Sequence, residues 1–429
     1  MIPLVHAASL TERLRRRYTP ERRWRLARFT AVVAAILYSA RAVQQLVTPL
    51  PATTRVYIVD FAEYFRAAGD LSAGRDPYQY FLQKCGNHWC FGGYIYPPLH
   101  AEILRPFVGL GVDGAARVWL IVCHILLLAS IVLVRRALGG ALSRTSQAVL
   151  LSAALLFLPL YQSLYSVQVG VLLMFLLAVV GFGVVRGRDG LAGAALAGAV
   201  VLRLTPLALL PLLVNRRSLS RPVGLLAFVA VAVGLLVGLE ALTPATWEYF
   251  TTVLPKLGDG TAFLENQSLM GVAQRAGGLL FGRATIIAPM AALGISALLM
   301  LFTWLLSLRA PAPETRPIAF AAFVALMPIV SSLTWQHHLV TEMLAIAFLA
   351  PILMKPGHRR ALGLVLAAYP LLWVDRHVTD PLTALLGMTS PSGWLIAPFL
   401  VITGLNLVGM MLLWMASIDC LWKARSSEG

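Results

Sequence analysis

One repeated feature constrains this chain more than any other. Runs of about twenty apolar residues recur along nearly the whole of its 429 positions. A helix rises about 1.5 Å per residue, so each run is long enough to cross a hydrocarbon core of roughly 30 Å. Within lipid, every backbone polar group must find its partner inside the protein, and a helix satisfies them all within one segment. Charged residues make up only 13% of the chain, against about 25% in soluble domains. The predicted fold is an all-α polytopic membrane protein with about 10–12 transmembrane helices.

Spans are predicted at 28–47, 114–134, 147–165, 169–185, 222–242, 285–308, 317–334, 339–354, 361–374 and 393–418. The first run begins near residue 28 and lacks a small-residue cleavage site, so it reads as a retained helix and not a signal peptide. The formal net charge of +16 invites a nucleic-acid reading, but its distribution argues for a membrane. Eight arginines precede the first run in RLRRRYTPERRWRLAR, and others pair in short loops, such as Arg135–Arg136, Arg216–Arg217 and Arg359–Arg360. Basic residues gathered beside apolar runs mark cytoplasmic loops and meet anionic lipid headgroups. No nucleic-acid partner is expected.

With residues 1–27 as a cytoplasmic arm, the ledger makes 28–418 one transmembrane domain and 419–429 a cytoplasmic tail. Residues 48–113 become a first extracytoplasmic loop and 243–284 a second large one. Residues 191–215 are awkward, because basic residues flank both ends and Thr205-Pro206 interrupts the middle. Each half reaches only roughly 18 Å, which predicts a helical hairpin. Most carboxylates then fall on the outer side, and Asp60, Glu63, Asp70 and Asp76 gather just past the first span in VYIVDFAEYFRAAGDLSAGRDPYQYF.

Residues three and four apart share a helix face, so Asp60, Glu63 and Tyr64 point together. A carboxylate at the lipid–water boundary suits a general base acting on a hydroxyl acceptor; the plainer role for Asp60 is to cap a helix. Cys85 and Cys90 bracket CGNHWC in the same loop. A disulfide is the leading reading in an oxidising compartment, with free thiols and a metal site that includes His88 as alternatives. Arg203, a guanidinium inside an apolar run, is a functional candidate; its plainer roles are pairing with Glu240 or snorkelling. His337 and His338 in WQHH lie at the mouth of a span, with Glu342 one turn on to pair with His338 or fix its tautomer.

Five stretches in order resemble the GT-C glycosyltransferases, and family 87 above the rest: DFAEYFRAAGDLSAGRDPY (60–78), YIYPPLHAEILRPF (94–107), YSVQVGVLLM (165–174), RLTPLALLPLL (203–213) and ENQSLMGVAQR (265–275). The family includes mannosyl- and arabinofuranosyltransferases that use polyprenyl-phosphate sugars. The third stretch departs from the frequent Gly-Gln-x-Asn of the family, and Arg203 stands where a lysine is frequent. The resemblance implies a GT-C-like bundle in a bacterial plasma membrane, with Asp60 as the catalytic base of an inverting transfer on the extracytoplasmic face. Arg203, His337 and His338 are expected on the donor phosphate. Glu63, Tyr64, Tyr96, Gln168, Asn266, Gln267 and Ser268 are expected on the substrates. The implied partners are a polyprenyl-phosphate-linked sugar donor, a glycolipid or glycan acceptor and membrane lipid. No DxD-type motif is seen in the outer loops, so no obligatory metal or cofactor is expected. A transporter of lipid-linked sugars is the rival reading, since broken helices with intramembrane charge also mark transporters.

Overall fold

The computed structural model describes residues 19–48, 59–85, 92–214, 221–242, 245–258, 260–281, 286–309, 313–388 and 391–426. Helix is the regular structure throughout, and no strand occurs among the described residues. The expected Cys85–Cys90 bridge falls outside what is described, as do Cys90, His88 and the side chain of Cys85. The chain divides into two units, one holding 1–48 and 139–157 and the other 49–138 and 158–429.

In the smaller unit, helix α1 (Pro20–Val47) starts at Thr19, whose side chain accepts from the Arg22 N–H, with Pro20 preset for the first turn. Ala27 and Ala34 are its buried residues. Its far side shows Phe29, Ile36 and Val43 at 65%, 61% and 57% exposure. Those residues recur every seven positions and so form one apolar stripe, a surface suited to acyl chains and not to water.

The larger unit supplies the rest. After the first span come α2 (Val59–Ser72), α3 (Gln79–Cys85) and α4 (Pro98–Leu104), followed by the long α5 (Gly111–Leu138). Helix α6 (Arg144–Leu155) belongs to the smaller unit, where the Ser152 hydroxyl reaches Thr30 of α1. Next are α7 (Leu158–Tyr165), α8 (Gly170–Arg186), α9 (Asp189–Leu202) and α10 (Arg221–Leu242). They are followed by α11 (Leu269–Phe281), α12 (Ile287–Arg309), α13 (Arg316–Val330), α14 (Glu342–Leu353), α15 (Arg359–Leu371), α16 (Arg376–Leu385), α17 (Ile396–Thr403) and α18 (Leu405–Ser426).

The core is α13 against α8 and α14. Phe320 and Phe348 meet edge to face at 4.7 Å, and Gly181 of α8 lies beneath them. A Cβ there would come within 2.7 Å of the Phe348 ring, so no larger residue fits without moving a fully packed pair. Helices α10 and α12 show the opposite character. Val229, Val233 and Val237 of α10 and Leu298 of α12 are exposed, as expected where lipid completes the packing.

Seven stretches among the described residues are helical, long and apolar enough to span, and nine if two paired helices each count once. This makes the protein a multi-pass membrane protein: nine of the ten expected spans have a counterpart among these helices and pairs, and the tenth, 169–185, is the shorter helix α8. Some regions depart locally from one straight span. Helix α8 is 17 residues long. The run 393–418 breaks at Gly404 into α17 and α18. Residues 361–374 form α15, and α16 turns away from it by 83°. The 191–215 region consists of α9, an extended Arg203, and a 3-10 helix over Thr205–Val214.

Candidate active site

Four carboxylates crowd α2 and the turn after it, and their partners separate them. Glu63 pairs with Arg66. Asp70 meets Arg75 at 2.7 Å. Asp76 accepts from the Tyr78 N–H at 2.8 Å, closing a turn. Asp60 turns instead to a neutral amide, the side-chain NH2 of Gln168. Burial pushes the Asp60 carboxyl up to about 6; the Gln168 hydrogen bond opposes that rise and the nearby Glu63 charge adds to it. A buried carboxylate with no cation to neutralise it is a stronger base than an ordinary one.

Gln168 is held from three directions. The Tyr64 hydroxyl donates to its Oε1 at 2.6 Å, which leaves the NH2 for Asp60. Trp119 Nε1 donates to its backbone carbonyl at 3.3 Å, and Cys123 Sγ approaches the same oxygen. Val167 precedes it with φ +50°, the one positive-φ non-glycine among the described residues. A β-branched residue in the left-handed region is strained by about 1–3 kcal/mol and persists only where its surroundings enforce it. Here the strained residue aims Gln168 at Asp60.

Around them lies a box of rings. Tyr64 meets Tyr96 at 5.2 Å and His100 at 4.5 Å, both edge-on. Tyr78 stacks on Tyr94 at 5.6 Å and lies 6.0 Å from Tyr249. Tyr94 donates to the Pro97 carbonyl and accepts from the Ala101 N–H, which pins the start of α4. Burial holds the Tyr64 phenol well above its usual range, with the Tyr96 and Asp60 charges adding to the effect. It therefore stays protonated and donates.

Arg203 reaches the other side of this box, its guanidinium carbon 5.6 Å from the Tyr96 ring centre. The charges of Asp60 and Arg203 both act on Tyr64 and on Tyr96, with opposite signs. The two residues thus flank one pair of rings. Arg203 Nη2 lies 2.9 Å from Nδ1 of His338, and the Trp335 N–H lies 2.9 Å from the same nitrogen. A guanidinium and an amide N–H only donate. His338 Nδ1 is therefore an acceptor, and the ring proton is on Nε2. The Nε2 atoms of His338 and His337 are buried and take no hydrogen bond in the protein.

The structure corrects two sequence expectations for this corner. Both Glu342 oxygens are buried without a hydrogen-bond partner, so this residue does not set the His338 tautomer. Glu240 does not pair with Arg203; its Oε2 accepts from the Trp247 N–H at 3.1 Å.

The third group of expected site residues has a different character. Asn266 NH2 donates to the carbonyls of Thr261 and Ser332, both at 3.0 Å, and its Oδ1 accepts from Thr334 N and from the N–H and hydroxyl of Ser268. Gln267 NH2 donates to Leu264 and Thr403 carbonyls. The Ser268 hydroxyl also accepts from the Gly271 N–H, capping α11. Arg275 Nη1 donates to Phe263 and Asn266 carbonyls, and burial lowers its pKa to about 10. These side chains build a joint between 261–275 and 331–334. Asn266 and Ser268 have no polar atom left over for a sugar hydroxyl.

The sequence reading brought Asp60, Glu63, Tyr64, Tyr96, Gln168, Arg203, His337 and His338 forward, and the fold gathers them. Missed were Trp119, whose indole fixes the Gln168 carbonyl, and Tyr249, whose ring closes the box against Tyr78 from far along the chain. The tyrosines of DPYQY and GGYIYPP signalled the box; nothing near Tyr249 did. Among the described residues, no three His, Cys, Asp or Glu side chains cluster to hold a metal ion.

No curated protein matches the chain. Two solved structures are similar over 92% of this chain and 78% of theirs. They are ArnT from Cupriavidus metallidurans bound to undecaprenyl phosphate, at 15% identity and TM-score 0.42, and the same protein in the apo state, at 14% and 0.41. The model of glycosyltransferase family 87 matches residues 94–332, more than half of the sequence, and takes in Tyr96, Gln168, Arg203 and the 265–275 joint. On that match the chain belongs to glycosyltransferase family 87.

Proposed function

We propose that this membrane glycosyltransferase moves a sugar from a polyprenyl-phosphate donor to a hydroxyl of a cell-envelope glycolipid or glycan, with inversion, on the extracytoplasmic face of a bacterial plasma membrane. Mannose is the first-choice sugar and arabinofuranose the second. The observation that carries the reading is the pairing of roles across one ring box. Asp60 is an uncompensated carboxylate on one side, and Arg203 with two uncommitted imidazole nitrogens is on the other.

The chemistry follows from that placement. The Asp60 carboxylate removes the proton of the acceptor hydroxyl. The resulting oxygen attacks the anomeric carbon from the face opposite the phosphate. The bond from that carbon to the phosphate oxygen breaks, the configuration inverts, and polyprenyl phosphate departs with the bonding electrons. Negative charge grows on the departing oxygen, where donors already in place stabilise it most. The Arg203 guanidinium and the Nε2–H of His338 supply such donors, and His337 lies beside them at a ring separation of 4.3 Å. Tyr64 and Gln168 hold the base in position.

The test uses the full chain in proteoliposomes with labelled polyprenyl-phosphate mannose or arabinofuranose and a glycolipid acceptor. Wild type forms product, and Asp60→Asn lowers turnover by about 10²–10⁴-fold while expression and fold persist. Transfer at the normal rate by Asp60→Asn would sink the assignment of the base. Movement of the donor across the bilayer without transfer would replace the enzyme by a transporter.

A further inference from the structure

The helices that hold Gln168 end, far from it, in arginines without acids. Trp119, which fixes the Gln168 carbonyl, lies on α5, and Arg135 follows on the same helix roughly 24 Å further on. Gly170 opens α8 just past Gln168, and Arg186 closes it, again roughly 24 Å away. That rise is most of the thickness of a hydrocarbon core, and a long arginine side chain completes it by reaching for the headgroups. The arginines therefore belong to the leaflet opposite the ring box.

Arg186 Nε donates to the Arg136 carbonyl at 3.1 Å, and its Nη2 donates to the same oxygen. This caps the last turn of α5 and fixes the guanidinium there. Arg316 opens α13, and its Nη1 lies against the turn at Gly187, where a Cβ would come within 3.4 Å of it. Three helix ends thus bring Arg135, Arg136, Arg186 and Arg316 to one corner. Among the described residues, no carboxylate forms an ion pair with any of the four. The carbonyl ends of α5 and α8 favour three of them. Arg316 stands instead in the first turn of α13, where the helix dipole disfavours a cation and favours an anion. Like charges gathered in this way repel one another until an anion joins them.

An apolar track leads to the same corner. Ile121, Ile125, Leu128 and Val132 are exposed on α5 and follow one another at intervals of three and four residues. Arg135 and Arg136 continue that spacing from Val132, so the track and the cations share one side of the helix. Aliphatic surface that ends in guanidinium groups matches a molecule with an acyl chain below a phosphate.

We propose that Arg135, Arg136, Arg186 and Arg316 bind the phosphate of an anionic phospholipid whose acyl chain lies along the α5 track. This site is separate from Arg203 and the imidazoles beside it. Bound lipid ties together the ends of α5, α8 and α13, and stabilises the protein in proportion to its occupancy.

The test follows the thermal midpoint of the purified full-length protein in neutral detergent as phosphatidylglycerol is added. Phosphatidylcholine with the same acyl chains and soluble glycerol phosphate are the comparison ligands. A saturable rise is expected with phosphatidylglycerol alone. Arg135→Gln and Arg316→Gln should each raise the half-saturating concentration by about fivefold. Each shift is read from the variant's own lipid-free midpoint, so a loss of basal stability does not imitate a loss of binding. Should one variant fail to fold, the other carries the test. No rise with phosphatidylglycerol, an equal rise with phosphatidylcholine, or a half-saturation that the variants leave unchanged overturns the site. An equal response to glycerol phosphate overturns a lipid as its occupant.

Discussion

Two polar clusters in this protein look alike as sequence and differ in use. At 265–268, Asn266 and Ser268 spend every polar atom on the protein's own backbone and on each other. Around Asp60 and Arg203, atoms are left over: a carboxylate facing an amide in place of a cation, and two imidazole nitrogens with no partner. A saturated network lowers the energy of one conformation, and a ligand has nothing to add to it. An unsaturated one holds buried groups away from their preferred state, and a ligand completes it. Perturbed groups in this condition gather at functional sites. The four carboxylates of α2 and its following turn repeat the contrast within seventeen residues, since Glu63 and Asp70 meet arginines, Asp76 meets a backbone amide, and Asp60 meets neither.

The largest effect expected from this contrast is kinetic and confined to one side. Asp60→Asn should lower kcat by about 10²–10⁴-fold with the melting transition in detergent retained. Next in size is a change confined to the other side. Asn266→Ala strands the Thr261 carbonyl and the Thr334 N–H and leaves the Ser332 carbonyl only the Ser268 hydroxyl, a loss of roughly 3–5 kcal/mol read as a lower thermal midpoint. Whatever fraction of that variant remains folded should show ordinary KM values for both substrates. A folded Asn266→Ala with a raised KM would blur the distinction between the clusters.

Much of the fold was readable from the chain, and the failures have physical causes. The apolar runs announced helices because a lipid environment leaves little else. Arg203 was visible as a lone charge in an apolar run, and Asp60 as the first carboxylate beyond a span. The role of Asn266 was hidden because its partners, Thr261, Ser332 and Thr334, are backbone groups, and backbone groups have no sequence signature. The bend of Val167 was unreadable for a related reason: a β-branched residue at φ +50° contradicts its own local preference. Tertiary contacts on Gln168 override that preference. Hydropathy alone ran across Gly404, where the expected span 393–418 divides into α17 and α18.

A subtler change sharpens how the base is tuned. Gln168 hydrogen-bonds the ionised form of Asp60 and so holds its pKa below where burial alone would set it. Gln168→Leu removes that donor and leaves the burial. The acid limb of the kcat/KM profile, expected near pH 6 in wild type, should move to higher pH, and the rate at neutral pH should fall by about tenfold. A tenfold loss with an unmoved limb would mean that Gln168 acts on geometry alone.

The smallest effect concerns stability, and its sign follows from the same burial. Asp60 has a folded pKa near 6, above its ordinary value of 3.8, so the folded protein holds this proton more tightly than the unfolded chain does. Below pH 3.8 both states are protonated and the side chain costs nothing extra. Between there and pH 6 the unfolded chain ionises first and gains, so stability falls as pH rises. Above pH 6 the penalty is constant, at most about 3 kcal/mol. Asparagine carries no such proton. The thermal midpoint of Asp60→Asn should therefore match wild type near pH 4 and exceed it by a few degrees at pH 8. No counterpart of that gap is expected for Asn266→Ala, because Asn266 does not titrate. If wild type proved the more stable protein at pH 8, the carboxylate would be better solvated or better paired than its surroundings indicate, and the contrast between the two clusters would lose its energetic basis.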